Sequence, residues 1–259
     1  MQTYFVQMNE DYISKYYPNR SVFSSVNKSN QKNGIGIYAF FGIFMVMSGL
    51  GTAWGIISTM ESIKEGESDM VAPGLVIIGF FFVIFALSIF TIIFTKKRNS
   101  LGAEGLIKKS AKNSQYSESE IREFELQAMA SDSYVLALTD KMKAVLSGQK
   151  NGVLTRDFIY LADFKNIVMK RCDIVGAFLV ERTFYINGDK YSRKPVKYLT
   201  VTIVSNKNIQ ILAETSIEAG KGLLEMLQEQ NPKIDTKNCS VIQEKEYNKY
   251  CKMMLPSHS

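Results

Sequence analysis

Two clusters of cations are the residues in this 259-residue chain best placed to bind something. Lys190, Arg193, Lys194 and Lys197 follow a turn signal at Asn187-Gly188-Asp189. Several charge-assisted donors so close together match what a phosphate needs, because it offers many acceptor oxygens at once. Lys96, Lys97 and Arg98 form a second cluster, directly after an apolar run, and Lys108, Lys109 and Lys112 extend it. A basic stretch beside a membrane span attracts anionic headgroups by about 1 kcal/mol per residue. Both clusters also have plain structural uses. A charged tip guards a hairpin against edge-to-edge pairing, and a basic flank orients a span.

Catalytic readings find no footing. The only histidine is His258, and Cys172, Cys239 and Cys251 are far apart without CxxC spacing. A nucleophile needs a base beside it, and a metal needs clustered ligands. Asp157, Asp163 and Asp173 lie beside expected turns or strand ends, where Asp serves local hydrogen bonding. Gly220-Lys221-Gly222 lacks the spacing of a phosphate loop. The chain is therefore expected to be no enzyme, with no metal and no cofactor. From Lys96 onward it carries 26 Lys and Arg against 19 Asp and Glu. That excess suits an anionic leaflet but is too diffuse for nucleic acid, for which no motif is present.

The elements that would position these cations start from two uncharged stretches, residues 34–60 and 71–95. Each exceeds the roughly 20 residues a helix needs to cross a bilayer core. Lys28 and Lys32 precede the pair and Lys96, Lys97 and Arg98 follow it, against a single Lys64 in the acidic link 61–70. The positive-inside rule then places both termini in the cytosol, the link outside, and the chain in the plasma membrane. With no ionisable residue inside either stretch, a carrier or channel is disfavoured. Gly51 and Gly55 form a GxxxG, which lets helices approach closely in lipid. Its partner is either the second span of the same chain or a second copy, giving a homodimer.

Residues 1–33 read as a cytosolic segment without the apolar core of a signal peptide. Phe5, Met8, Tyr12, Ile13 and Tyr16 share a helical face, suited either to the membrane interface or to docking on the rest of the protein. Residues 96–150 read as a basic, helical linker. Ser117-Glu-Ser-Glu120 matches a capping box, and a further helix is expected from Ser131 or Asp132 to Gly148, with Tyr134 on its face. Tyr134-Val135-Leu136 is also compatible with a strand.

After Gly152 the pattern alternates. Residues 153–161, 166–171, 177–186, 197–204 and 209–213 read as strands. A helix capped by Ser216, with Leu223, Leu224 and Leu227 on its apolar face, stops at Asn231-Pro232. Residues 233–259 form a tail with a short helix near 243–251. The fold class is α+β: a two-helix transmembrane hairpin plus an antiparallel barrel or sandwich over 151–232, closed by that helix.

Leu154-Thr-Arg-Asp-Phe-Ile-Tyr160, then Cys172-Asp173-Ile174-Val175 and Leu223-Leu-Glu-Met-Leu-Gln-Glu-Gln-Asn-Pro232, resemble segments of bacterial two-span membrane proteins. Those proteins carry a cytosolic pleckstrin-homology-like domain. The resemblance implies that fold for 151–232 and no established activity. The expected function is a non-enzymatic interaction module, anchored in the lipid bilayer and presenting its domain to a membrane or cytosolic protein. An anionic-lipid sensor and an accessory subunit of a transport or secretion complex are the alternatives.

Overall fold

The computed structural model describes residues 4–66, 68–139, 150–162, 165–187 and 193–254. The chain forms two units. A helical unit spans residues 24–105, and an α+β unit combines residues 1–23 with 106–259.

The helical unit is built from α2 (Val22–Glu65), whose first two residues belong to the other unit, and α3 (Ser68–Asn99). Both are long and apolar enough to cross a membrane. Their bulky side chains, among them Leu50, Trp54, Phe80 and Phe90, are exposed. The acidic link is shorter than the 61–70 expected, because helix continues to Glu65 and resumes at Ser68.

The α+β unit opens with β1 (Phe5–Gln7) and α1 (Glu10–Tyr16) and continues with α4 (Gly102–Ser114), whose first four residues belong to the helical unit, and α5 (Glu118–Ala128). Asn9 caps α1, and the capping box at Ser117 starts α5, each supplying an acceptor to an orphan N–H. Next come β2 (Tyr134–Leu136), β3 (Lys150–Leu154), β4 (Phe158–Ala162) and β5 (Val168–Lys170). Then follow β6 (Ile174–Asn187), β7 (Arg193–Ser205), β8 (Gln210–Glu214), α6 (Ile217–Gln230), β9 (Val241–Gln243) and α7 (Glu244–Met254).

The strands make two sheets. One runs β1-β2-β3-β4-β5, antiparallel throughout; the other runs β8-β7-β6-β9, with β9 parallel to β6. Neither sheet closes into the barrel that the sequence pattern allowed. The marginal strands β1, β5 and β9 are three residues each, too short to carry a hydrogen-bonded ladder round a closed wall.

Strand alternation decides what each sheet buries. On β4, Ile159 and Leu161 face the main core with Leu179, Val201, Leu223 and Leu227. Phe158 and Tyr160 face the other way, into an aromatic group with Phe23 and Phe124 at centroid distances of 5.8–6.2 Å. On β6, Ala177 and Leu179 join the main core, whereas Phe178 and Val180 pack with Ile242 and Tyr247 beneath α7.

Three expectations change. The strand read over 153–161 is two strands, because Thr155 bonds Phe158 in both directions across Arg156-Asp157 and turns the chain. Tyr134–Leu136 is a strand rather than part of a helix, paired on both sides by β1 and β3; the rest of that expected helix, from residue 140, lies outside the described residues. Phe5 is likewise in a strand, while Met8, Ile13 and Tyr17 are buried in the α+β unit. Of the face expected around α1, Ile13 is covered by protein, Tyr12 is half-buried and Tyr16 is 48% exposed.

Candidate functional site

The most distinctive surface grows from β6 and β7, the two longest strands. Their ladder runs from Ile174↔Ser205 to Asn187↔Arg193. β8 accompanies β7 only from Thr200 to Val204, and β9 accompanies β6 only from Leu179 to Glu181. Beyond that point, among the described residues, the two strands pair with nothing but each other. The six pairs from Arg182↔Tyr198 to Asn187↔Arg193 make a two-stranded ribbon about 20 Å long at ~3.4 Å per residue. An isolated ribbon is marginal in water without further cover.

The ribbon has two unlike faces. Arg182, Phe184, Val196 and Tyr198 share the face that continues from α7. Thr183, Tyr185, Pro195 and Lys197 share the other. Phe184 is 49% exposed and Tyr185 57%. The root is held by charge. Arg182 donates to Glu244 and, at 3.1 Å, to the Thr200 hydroxyl, and its guanidinium lies over the Tyr247 ring. Lys197 donates to Glu181 at 2.9 Å and Gln243 donates to the same carboxylate at 3.0 Å; these two, Lys197 first, hold the Glu181 pKa below the ordinary range.

The expected cationic patch is divided. Lys194 and Lys197 are both exposed but fall on opposite faces of the ribbon. Arg193 pairs by its backbone with Asn187, and Lys190 and the Arg193 side chain lie outside the described residues. Lys96 and Lys97 are in α3, in the helical unit, as is the backbone of Arg98, whose side chain is also outside the described residues. Gly51 and Gly55 face α3 of the same chain. A Cβ at Gly51 would come within 2.8 Å of the Phe81 ring, and one at Gly55 within 3.0 Å of Ile78. Sequence reasoning found the cations and missed Phe184, Tyr185 and Pro195. The signal that could have found them is strand length: the two long runs flank a turn, and their neighbours are shorter.

A cleft of about 480 Å³ lies elsewhere on the α+β unit, lined by Glu123, Arg156, Asp157, Arg171, Gln230 and Asn231 among others. Its cations are already engaged. Arg171 donates to the Thr155 and Arg156 carbonyls at 3.0 and 2.7 Å, Arg156 pairs with Asp157 at 3.3 Å, and Lys170 pairs with Glu120 at 2.7 Å. Nearby, Tyr116 donates to Asp173 at 2.7 Å while Lys207 sits 3.9 Å over its ring. Burial, then Asp173, pushes the Tyr116 pKa up. These contacts brace the hairpin turn and the start of β6 and leave little net charge for a ligand. Among the described residues no three His, Cys, Asp or Glu side chains gather as a metal would require.

One buried carboxylate serves the start of α2. Glu125 on α5 accepts from the Val22 and Phe23 N–H groups at 3.0 and 2.9 Å, two of the orphan donors of a helix N-terminus. Burial raises its pKa, against hydrogen bonds from Ser21, Phe23 and Val22 that pull it down. Compared with family models, with curated proteins and with solved structures, the chain matches none.

Proposed function

We propose that this protein is a membrane-anchored, non-enzymatic interaction module, with α2 and α3 crossing the plasma membrane and both termini in the cytosol. Its α+β unit, of pleckstrin-homology-like type, meets a protein partner through the β6–β7 ribbon. The observation that carries this reading is the ribbon itself. It outruns its own sheet by six residue pairs and keeps Phe184 and Tyr185 half exposed, the kind of aromatic anchor that dominates binding energy at interfaces. The lack of charge from residue 34 to 60 and from 71 to 95 supports the anchor, and the excess of Lys and Arg flanking the pair supports the orientation. The packing of Gly51 and Gly55 against α3 leaves that GxxxG less available for an accessory-subunit or homodimer contact.

Cross-linking in intact membranes, followed by capture through a C-terminal tag, tests the reading. The full chain should bring down a discrete protein, and the double variant Phe184→Ser, Tyr185→Ser should lose it while staying in the membrane. Recovery of the chain alone, or of the same protein with both versions, overturns it.

A further inference from the structure

The two outer edges of the ribbon are not equivalent, and the difference identifies how a partner would bind. Backbone direction alternates along a strand, so the outward-facing residues can be fixed at the root and followed to the tip. On β7, the Leu199 carbonyl accepts from Thr215, away from β6. On β6, the Ala177 N–H donates to Asp235 and the Val175 carbonyl accepts from Asp235, away from β7. Odd-numbered residues therefore point outward on both strands. On β7 the outward positions of the ribbon are Arg193, Pro195 and Lys197, and Pro195 has no N–H to offer. That edge is blunted by proline and lysine, a common guard against stray pairing. On β6 the outward positions are Thr183, Tyr185 and Asn187, each with its N–H intact. β9 leaves this edge at Gln243, where α7 begins, and among the described residues no strand follows it.

We infer that the β6 edge at Thr183, Tyr185 and Asn187 takes up an extended, acidic segment of a protein partner as an added strand. The inference rests on the ribbon being the docking element. Strand addition satisfies the open N–H and C=O groups while side chains of the incoming segment read the two faces. An apolar residue of that segment would lie beside Phe184. Its acidic character follows from charge: with Arg182 paired to Glu244 and Lys197 to Glu181, the sequence of residues 183–196 still holds Lys190, Arg193 and Lys194 against Asp189 alone. An anionic bilayer answers the same charge but fits the backbone less well. Sinking Phe184 and Tyr185 into hydrocarbon would carry the open edge with them, where unpaired backbone groups are costly.

The test uses the full chain in discs of neutral phospholipid, panned against a display library of short peptides. Enriched peptides should be acidic and rich in strand-forming residues. A labelled copy should bind about tenfold more weakly to the Thr183→Pro variant, which removes one outward N–H and no donor of the β6–β7 ladder. A copy with each acid replaced by lysine should not bind. Because Thr183→Pro could distort the ribbon, amide exchange on the unmutated chain gives a second readout. The peptide should slow exchange at Thr183, Tyr185 and Asn187 and leave Lys197 unchanged. Enrichment without acidic bias, or protection at Lys197 instead, overturns the inference. So does displacement of the peptide when anionic lipid is added to the discs, because the ribbon would then belong to the membrane. If partner capture still depends on Phe184 and Tyr185 while the β6 amides stay unprotected, docking uses the ribbon face and only the edge assignment fails.

Discussion

Two hairpins in this protein leave bulky apolar side chains uncovered, in different chemical company. The helical hairpin of α2 and α3 exposes Leu50, Trp54, Phe80 and Phe90 within long runs free of charge. The ribbon of β6 and β7 exposes Phe184 and Tyr185 between Arg182 and Lys197. A helix satisfies its backbone internally and can present such a surface to hydrocarbon; a two-stranded ribbon with an open edge cannot. An exposed phenylalanine is therefore ambiguous by itself. The nearest charge and the state of the nearest backbone N–H say which surroundings it suits.

The sharpest way to break the comparison lies within β6. Phe178, under α7, is 1% exposed, and Phe178→Ala should cost about 3–5 kcal/mol in urea unfolding of the α+β unit. Phe184→Ala, on the ribbon, should cost less than about 1 kcal/mol. Equal losses would mean that the ribbon is packed after all. For the helical hairpin, Gly51→Leu and Gly55→Leu each push into α3 and should cost about 1–3 kcal/mol in detergent, with the α+β unit unaffected. Unchanged thermal stability would show that α2 and α3 do not pack through these glycines.

Within the α+β unit, two glutamates of α5 should respond to acid with opposite sign. Glu125→Gln replaces an acceptor oxygen with an N–H donor facing Val22 or Phe23, at a cost of about 1–3 kcal/mol. Because burial raises the Glu125 pKa above its ordinary 4.5, the folded state keeps this proton longer than the unfolded chain. Its contribution to stability therefore grows as pH falls through the raised value toward 4.5 and disappears in the Gln variant. Glu120 does the reverse. Lys170, then Ser117, lowers its pKa from 4.5 to about 2, so its contribution is whole above 4.5 and lost as pH falls through about 2. The pair is partly solvated, which keeps this loss under about 1 kcal/mol, and Glu120→Gln should flatten that limb of the stability curve.

The parts legible in sequence were those with a long or repeated local signal. Two uncharged runs of more than twenty residues announced α2 and α3. Alternation announced β6 to β8, and serine caps announced α5 and α6. Three-residue strands carry little pattern: Tyr134-Val135-Leu136 was compatible with strand or helix until its pairing with β1 and β3 decided it, and β1 becomes a strand only by pairing with β2 across some 130 residues of chain. The turn at Arg156-Asp157 was hidden because apolar residues bound for both faces flank it, Val153 and Leu154 before it and residues 158–161 after it, so the run looked continuous. At the candidate site the cations stood out, but their division between faces depends on register. The sequence also leaves hidden where β8 and β9 stop, and that stopping point is what exposes the β6 edge.

The support that Glu125 gives to α2 has a consequence for how the molecule is made. Synthesis begins at the N-terminus, so Val22 and Phe23 emerge about a hundred residues before the carboxylate that caps them. β1 likewise precedes its partner β2 by a wide margin. Both long apolar helices are translated in between. The first 23 residues must wait, unpaired, while that hairpin is produced and placed, and are gathered in only when the later half of the chain arrives. Expressing the α+β unit from residue 106 onward would thus omit an edge strand and the Phe23 ring from its aromatic core. A faithful soluble version would have to join residues 1–23 to 106–259 across the gap.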